Sequence, residues 1–414
     1  MNVDSALSGL ACNGTYPVNH ATTHGKLTAA ATCLHMGTWH GGSWPQLTRK
    51  LTITRRRSMA PIPQGGTVAV TGSAGFIGGW VVRLLLDEGY RVRACVRDAD
   101  DSSKTDFLKA MPGYASGRLT LHSANLDDAG CFDEIFKGCQ GVAHLSHVST
   151  YDDQDYVKKV CDHIINSVNL SGTVNRVVVT SSIAAVISEQ DIQELVRRPV
   201  LYEDRYPDEQ NPKRTPERGQ GYSMGKVLAQ RAFSDAAEAS GRWDSITCCP
   251  GDNVGPILSP HQKNGGPWQH NIETMLLGEY TQNVIGAYRA WFTVDVRDTA
   301  EAHIRMLESV NVANGERFIA WSTDTRNVED ICASIDRLLP EMDFAGAKLI
   351  DPFPEKVQAK EAMFRAVWGG CELRNDRIRE TLDMEFRPLD VSIRDCVESL
   401  MSVAGIEPVR RSSR

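Results

Sequence analysis

No apolar run in this 414-residue chain approaches the roughly 20 residues that a membrane helix needs; the nearest, FIGGWVVRLLL, is interrupted by Arg83. None of the eleven cysteines forms a C-x-x-C pair, their number is odd, and no secretory signal is evident. Reduced thiols in an intracellular compartment are therefore expected, and a zinc site is not. There is also no surplus of positive charge. Lys and Arg number 45 against 52 Asp and Glu, a net charge of -7, so neither nucleic acid nor an anionic membrane is indicated as a partner. Internal repeats and a phosphate-transfer P-loop are missing too. What is there, 41% hydrophobic and 23% charged residues, is the composition of a globular protein, with a length suited to two or three domains.

Acid is scarce in one place only. Residues 1–58 contain a single acid, Asp4, against six bases, whereas the rest carries 39 bases and 51 acids. The segment lacks helix or strand periodicity and has little apolar surface with which to offset the entropy of ordering. Two readings fit: a transit peptide, acid-poor and hydroxyl-rich, or an upstream extension ahead of a true start at Met59. The expected location is accordingly cytoplasmic, or an organelle if residues 1–58 are a transit peptide. In either case they form an unstructured basic extension.

From Thr67 the text changes to TVAVT, then Gly72-Ser73-Ala74-Gly75-Phe76-Ile77-Gly78, then GWVVRLLLDEGY, in which Ile77, Val81, Leu84 and Leu85 recur at helical spacing. This is strand, glycine turn, helix. Gly72 suits the tight turn, Gly75 a close approach to a pyrophosphate, and Gly78 close packing of helix on strand, with the helix N-terminus facing the anion. The next strand, RVRACVR, ends at Arg97, nineteen residues after Gly78, where dinucleotide folds read the adenosine ribose. A cation there, with Lys104 seven residues on, favours NADP(H) over NAD. The runs GVAHLSHV (141–148), RVVVTSS (176–182) and DSITCCP (244–250) read as strands buried on both faces. Helical segments such as AGCFDEIFKG and KVLAQRAFSDAAEA lie between them. The fold class expected is α/β, a Rossmann-like doubly wound parallel sheet. The dinucleotide-binding domain is placed at 66–250, with 288–322 returning to it. A smaller, mainly C-terminal substrate-binding region is placed at 251–287 and 323–405, and a tail at 406–414.

Tyr222 and Lys226 share one face of a helix at i, i+4 spacing. A lysine there favours the phenolate, and bringing a phenol from near 10 toward 7 takes about 4 kcal/mol at ~1.36 kcal/mol per pKa unit, which Lys226 and the positive nicotinamide of the oxidised cofactor can supply together. Tyr222 then becomes a usable proton donor to a carbonyl under reduction. Ser181 and Ser182 end the strand RVVVTSS, where the carboxyl ends of a parallel sheet meet ligand and a hydroxyl can hold the substrate oxygen.

These residues resemble the extended short-chain dehydrogenase/reductases, and within them the group containing dihydroflavonol reductases and fungal aldehyde and ketone reductases. The resemblance runs over residues 66–403, through TGSAGFIGG, VRACVRDADDSSK, FDEIFKGCQGVAHL, VVVTSS, YSMGK, CCPGDNVGP, VDVRDTAEAH and EFRPLDVSIRDCVESL. It implies Ser182, Tyr222 and Lys226 as catalytic residues. It also implies cofactor contacts at Gly72, Gly75, Phe76, Ile77, Gly78 and Lys226, 2′-phosphate contacts at Arg97 and Lys104, and an adenine contact at Asn125-Leu126, where the family usually reads Asp-Leu. Cys249-Pro250-Gly251 resembles the turn beside the nicotinamide. Three departures bear on substrate: Ile187 stands where plant flavonoid reductases carry Asn, Ile183 and Ala184 supply no acid/base pair for elimination, and Val186-Ile187-Ser188 replaces the epimerase text V-Y-G.

Four other features call for structural explanations. His144 and His147 have no third metal ligand in view. Cys248 and Cys249 read as buried strand thiols, and Asp295, Arg297 and Asp298 as groups orienting a strand-to-helix turn. The Pro-rich stretch 187–221 reads as a surface loop partly covering the site. The expectation is an NADPH-dependent carbonyl reductase, monomer or homodimer, acting on a small-molecule carbonyl substrate, with no metal, nucleic acid or membrane partner. The alternatives are an NAD(P)-dependent epimerase or hydroxysteroid-type dehydrogenase on the same scaffold and, in another class, a non-catalytic NADP-sensing regulator.

Overall fold

The computed structural model describes residues 58–188, 192–207, 221–282, 291–341, 348–349 and 357–410. The basic extension, apart from Ser58, and much of the 187–221 stretch lie outside the described residues. No helix among them is long and apolar enough to cross a membrane.

The chain lays down β1 (Thr67–Thr71), α1 (Phe76–Asp87), β2 (Arg91–Val96), α2 (Ser102–Lys109), β3 (Leu119–Ser123), β4 (Gly141–His144), α3 (Gln154–Ser171), β5 (Arg176–Thr180), α4 (Gly221–Ser240) and β6 (Asp244–Pro250). It continues through β7 (Asp252–Val254), β8 (Trp291–Asp295), α5 (Val296–Glu308), β9 (Arg317–Ala320), β10 (Thr325–Arg326), α6 (Val328–Leu338) and α7 (Leu389–Ser402). Seven strands form a sheet in the order β9-β6-β5-β4-β1-β2-β3, every neighbour pair parallel. This is the doubly wound Rossmann-like sheet expected from the sequence. Chain order reverses between β1 and β4, which opens a crevice at their carboxyl ends.

Burial explains the strand assignments. All seven residues of β6 are buried, and β5 is buried from Arg176 through Val179, as strands covered on both faces must be. On one face α1 buries Val81, Val82, Leu85 and Leu86 in a cluster with Val68, Val70, Ile304 and Leu307. On the other, Ile164, Val168 and Phe233 pack with Val142 and Val177. Removing a side chain such as Leu85 costs about 2–5 kcal/mol.

Several elements differ from the sequence reading. Within AGCFDEIFKG only Asp133–Phe136 is helical, because the flanking Gly130 and Gly138 take positive φ values. Of the stretch 288–322, α5 and β9 lie on the main sheet, whereas β8 pairs with β7 and β10 in a separate three-stranded sheet. The 187–221 stretch is more than a surface loop. It contains a helix, Ile192–Arg197, and a two-residue strand, Val200–Leu201, paired with Glu372–Leu373. Leu195 and Leu201 enter a core with Ile183, Ile187, Phe292 and Trp321. Glu203, only 2% exposed, accepts a hydrogen bond from the backbone N–H of Ile319 on the edge strand β9. Burial raises its pKa.

Arg176, fully buried at the start of β5, ties four parts of the fold together. It donates to the carbonyls of Met306, Leu307 and Ser309 at the end of α5 (3.2, 3.2 and 2.6 Å) and to that of Met59 (3.1 Å), and it lies 3.6 Å from Asp244 at the start of β6. A cation suits the carbonyl end of a helix. Asp244 in turn accepts the Met59 backbone N–H at 2.7 Å.

A chain beginning at Met59 therefore keeps both contacts and is expected to fold and melt like the full chain. One beginning at Ile62 leaves buried Arg176 and Asp244 short of partners. It should lose about 1–3 kcal/mol, read as a lowered Tm in parallel thermal melts; equal Tm values for the two truncations would refute this role of Met59.

Candidate active site

The glycine turn is shaped by contact distances. Gly72 has φ +70°, and a Cβ there would lie 3.0 Å from the Ser146 backbone N. At Gly78 a Cβ would lie 2.1 Å from the Gly72 carbonyl oxygen, so only glycine lets α1 start this close to β1. Gly75 caps α1 without any side-chain hydrogen bond, so the helix N-terminus, with Phe76 and Ile77 in its first turn, is left to a ligand. Arg97 follows β2, is exposed, and has no hydrogen bond or ion pair among the described residues. Lys104 is held by Asp101 at 3.4 Å. Asn125 lies just past β3 and turns the chain, its carbonyl accepting from the Asp128 N–H and the Cys131 thiol; Leu126 packs into the core below. Pro250 closes β6 opposite Ala320. The following Gly251 has no room for a Cβ, which would lie 2.1 Å from the Phe292 carbonyl oxygen. An unfilled helix N-terminus, glycine-only clearances and a solvent-facing guanidinium together form a cradle that fits a dinucleotide.

Next to this cradle the structure brings Ser182, Tyr222 and Lys226 together. Ser182 lies just past β5, where its side chain accepts from the Ala184 N–H at 3.1 Å, and its hydroxyl lies near enough to the Tyr222 phenol to favour the phenolate. Ser181 points elsewhere. It is 3% exposed, accepts a hydrogen bond from Gln230, and is fixed by its N–H to the Cys248 carbonyl at 2.7 Å. Lys226 donates to the Thr180 carbonyl at 3.0 Å and sits over the rings of Tyr222 (5.6 Å) and Tyr151 (5.4 Å). Behind Thr180, buried His303 accepts from the Thr180 hydroxyl at 2.6 Å, its other nitrogen being taken up by the Thr299 carbonyl.

The protein's own groups act on both ionisable side chains. Burial lowers the Lys226 pKa to about 8, because no carboxylate among the described residues compensates the desolvation of its ammonium. The Tyr222 pKa is raised, not lowered toward 7. Its surroundings desolvate the phenolate and Asp252 opposes it, while the nearby Ser182 hydroxyl works the other way. The ring nonetheless remains 43% exposed in the crevice, so solvent softens the effect. Protein groups by themselves hold Tyr222 as a phenol, the form that donates a proton.

Three neighbours escaped the sequence reading. His147, expected in a packed or hydrogen-bonding role, stacks on Tyr222 (6.0 Å, 17°) with Tyr151 edge-on at 4.7 Å to its own ring. Tyr151 meets Tyr222 edge-on at 5.0 Å. Asp252 on β7 has its pKa raised by burial to about 7. Tertiary packing alone assembles these groups, and no spacing in the sequence signals it. His144 has the structural role expected of it. Thr71 Oγ1 already accepts the N–H groups of Leu145 and Ser146, so its proton goes to His144 Nδ1 at 2.8 Å. Burial lowers the His144 pKa to about 3. No cluster of metal-ligating residues occurs among the described residues, and their cysteines are unpaired. An open recess of about 680 Å³ near Arg374 and Asp376 contains none of the site residues, and those two charges pair with each other at 2.6 Å. The hydrogen-bonded cluster, rather than that recess, marks the site.

Comparison with known proteins agrees with this geometry. Residues 68–320 match the model of the NAD dependent epimerase/dehydratase family. The chain belongs to that family. It is 31% identical over 349 residues to cinnamoyl-CoA reductase CAD2 of Medicago truncatula, an alignment covering 81% of this chain and 96% of that protein. It is 37% identical over 201 residues to dihydroflavonol 4-reductase of Hordeum vulgare, covering 47% and 55%. Among solved structures, yeast methylglyoxal/isovaleraldehyde reductase Gre2 complexed with NADPH shares the fold at a TM-score of 0.64 and 20% identity, covering 82% of this chain and all of that one. Vestitone reductase from alfalfa does so at 0.60 and 22%, covering 81% and 98%. The reductase resemblance read from the sequence is thus borne out.

The family turn makes a mutational test simple. Gly78→Ala should cost about 1–3 kcal/mol through overpacking against Gly72, whereas Gly89→Ala, in open space but at φ +89°, is strained by its backbone alone. Calorimetric melting decides, and an unshifted Tm for Gly78→Ala would contradict the close approach.

Proposed function

We propose that this chain is an NADPH-dependent carbonyl reductase that converts an aldehyde or ketone to an alcohol with Tyr222 as proton donor. The observation that carries the reading is the placement of Ser182 beside Tyr222 at the carboxyl end of β5, with Lys226 anchored on the Thr180 carbonyl over the Tyr222 ring. The relatives named cinnamoyl-CoA reductase and dihydroflavonol 4-reductase, and the NADPH complex of Gre2, support it. The glycine turn and the N-terminus of α1 would hold the pyrophosphate, Arg97 and Lys104 the 2′-phosphate, Asn125 and Leu126 the adenine end, and Pro250 the nicotinamide end. When bound, NADPH supplies the hydride that reduces the carbonyl carbon.

The protein's share is orientation and a proton. Ser182 holds the substrate oxygen beside the Tyr222 hydroxyl, and Tyr222 gives that oxygen its proton as the carbon is reduced. The charged form of Lys226 then stabilises the phenolate left behind and makes a ribose contact. Solvent returns the proton to Tyr222. One observation favours a second reading. An epimerase needs a further proton-transfer group, and Asp252, near neutrality and close enough to Tyr222 to oppose its ionisation, is one. The test is whether NADPH is consumed stoichiometrically with alcohol or a sugar-like substrate is isomerised without net oxidation.

Two outcomes follow. Tyr222→Phe should retain NADPH binding while carbonyl reduction falls ~10²- to 10⁴-fold; Ser182→Ala should also lower the rate, and Ser181→Ala much less. Wild-type turnover in Tyr222→Phe on a confirmed carbonyl substrate would overturn the assignment. With Lys226 charged below about 8, kcat/KM should decline as pH rises through that value, since kcat/KM reports the free enzyme. Lys226→Arg should remove that alkaline limb from the pH profile, and an unchanged limb would mean that another group titrates.

A further inference from the structure

The glycine turn is gripped from the other side of the crevice. After β7 the chain passes Pro256 and Leu258 into a short 3₁₀ turn, Pro260–Asn264, which places Gln262 against the turn with only 1% of its surface exposed. The Gln262 amide has a defined orientation, because its Oε1 accepts the Leu258 N–H at 2.8 Å. Its Nε2 therefore donates, to the carbonyls of Ala74 (3.3 Å) and Gly75 (3.1 Å). His261 adds a third donor, Nε2 to the Ala74 carbonyl at 2.8 Å, with its Nδ1 bonded to the Ser259 hydroxyl. The His261 ring also lies 5.8 Å from that of Phe107 on α2, the helix that carries Lys104.

We propose that Gln262, assisted by His261, is a positioning residue for the cofactor: it sets the direction of the first free N–H of α1. This rests on the cofactor reading above but not on the carbonyl chemistry. In a trans peptide the C=O and the following N–H point in opposite directions. The Gly75 carbonyl, which also accepts the Gly79 N–H of the helix at 2.9 Å, is held toward Gln262 as well, and the Phe76 N–H therefore points the other way. Gly75 N–H is already committed to the Gly72 carbonyl at 2.9 Å, and no side chain caps the helix, so Phe76 N–H is the donor this clasp can aim at a phosphate oxygen. The clasp is anchored both to α1 itself and outside the cofactor half. The Ile257 N–H donates to Ser399 on α7 at 3.0 Å, Trp80 on α1 donates to the Pro256 carbonyl at 2.8 Å, and Lys263 pairs with Glu273 at 2.7 Å. Pyrophosphate binding is thereby made to depend on residues well outside the glycine fingerprint.

The test is fluorescence titration of the full chain with NADPH and, separately, NADH, in the absence of any carbonyl substrate. Gln262→Leu keeps the bulk and deletes the donors. Its Kd for both cofactors should rise together by about tenfold, equivalent to about 1.4 kcal/mol. KM for NADPH should follow, while kcat at saturating NADPH moves far less. Arg97→Ala, by contrast, should weaken NADPH alone. His261→Phe, which preserves the ring beside Phe107, should give a smaller rise in the same direction and serves if Gln262→Leu does not fold. Wild-type Kd values in the folded variants, with only Tm lowered, would reduce the clasp to packing and overturn the proposal. If the wild-type chain bound no NADPH, the cofactor reading and this inference would both fail; wild-type binding with unchanged Kd in the variants would remove this inference alone.

Discussion

The approach of α1 to the turn at Gly72 is the constraint on which the rest of the structure depends. With a Cβ at Gly78 falling 2.1 Å from the Gly72 oxygen, the helix can begin directly over the end of β1 only if that position carries no side chain. The close start brings the open N–H groups of the helix to the point where the sheet reverses its order. Thr71, the last residue of β1, then bonds across to β4 through His144 and the N–H groups of Leu145 and Ser146. The two halves of the sheet are thus locked together immediately behind the crevice.

The proposed catalytic groups are arranged on the opposite wall by a chain of buried partners rather than by one strong pair. His303 holds the Thr180 hydroxyl, and the Thr180 carbonyl holds Lys226. Lys226 has been stripped of water without receiving a counter-ion, which is why its proton is loosely held. Such a lysine responds to any negative charge that enters the crevice, and a phenolate at Tyr222, whose ring lies 5.6 Å from it, is one the protein itself can supply.

Much of this was legible in the sequence because it rests on short-range regularities. The glycine turn, the continuous apolar strands and the i, i+4 Tyr222–Lys226 pair are all local, and α/β alternation fixes how local units stack. The preference for Ser182 over Ser181 came from family resemblance alone; Gln230, 49 residues on, takes up the Ser181 hydroxyl, a contact no spacing announces. The approach of Asp252, His147 and Tyr151 to Tyr222, and of Gln262 to the glycine turn, was not legible, since each depends on how distant segments cross. The 187–221 stretch was misread for a related reason. Its Pro-rich, charged text conceals Leu195 and Leu201, whose burial is decided by Trp321 and Phe292 far along the chain.

Glu203 gives that stretch a further significance. Strand β9 is the outer strand of the main sheet on its side, and an exposed edge of this kind invites another chain to add a strand. The backbone N–H of Ile319 in the middle of β9 is already taken by the Glu203 carboxyl. Because burial raises its pKa, that group can take up a proton as conditions become acidic, yet a protonated carboxyl still has an oxygen able to accept this hydrogen bond. That N–H of the edge strand is therefore held by the chain's own carboxyl in either charge state.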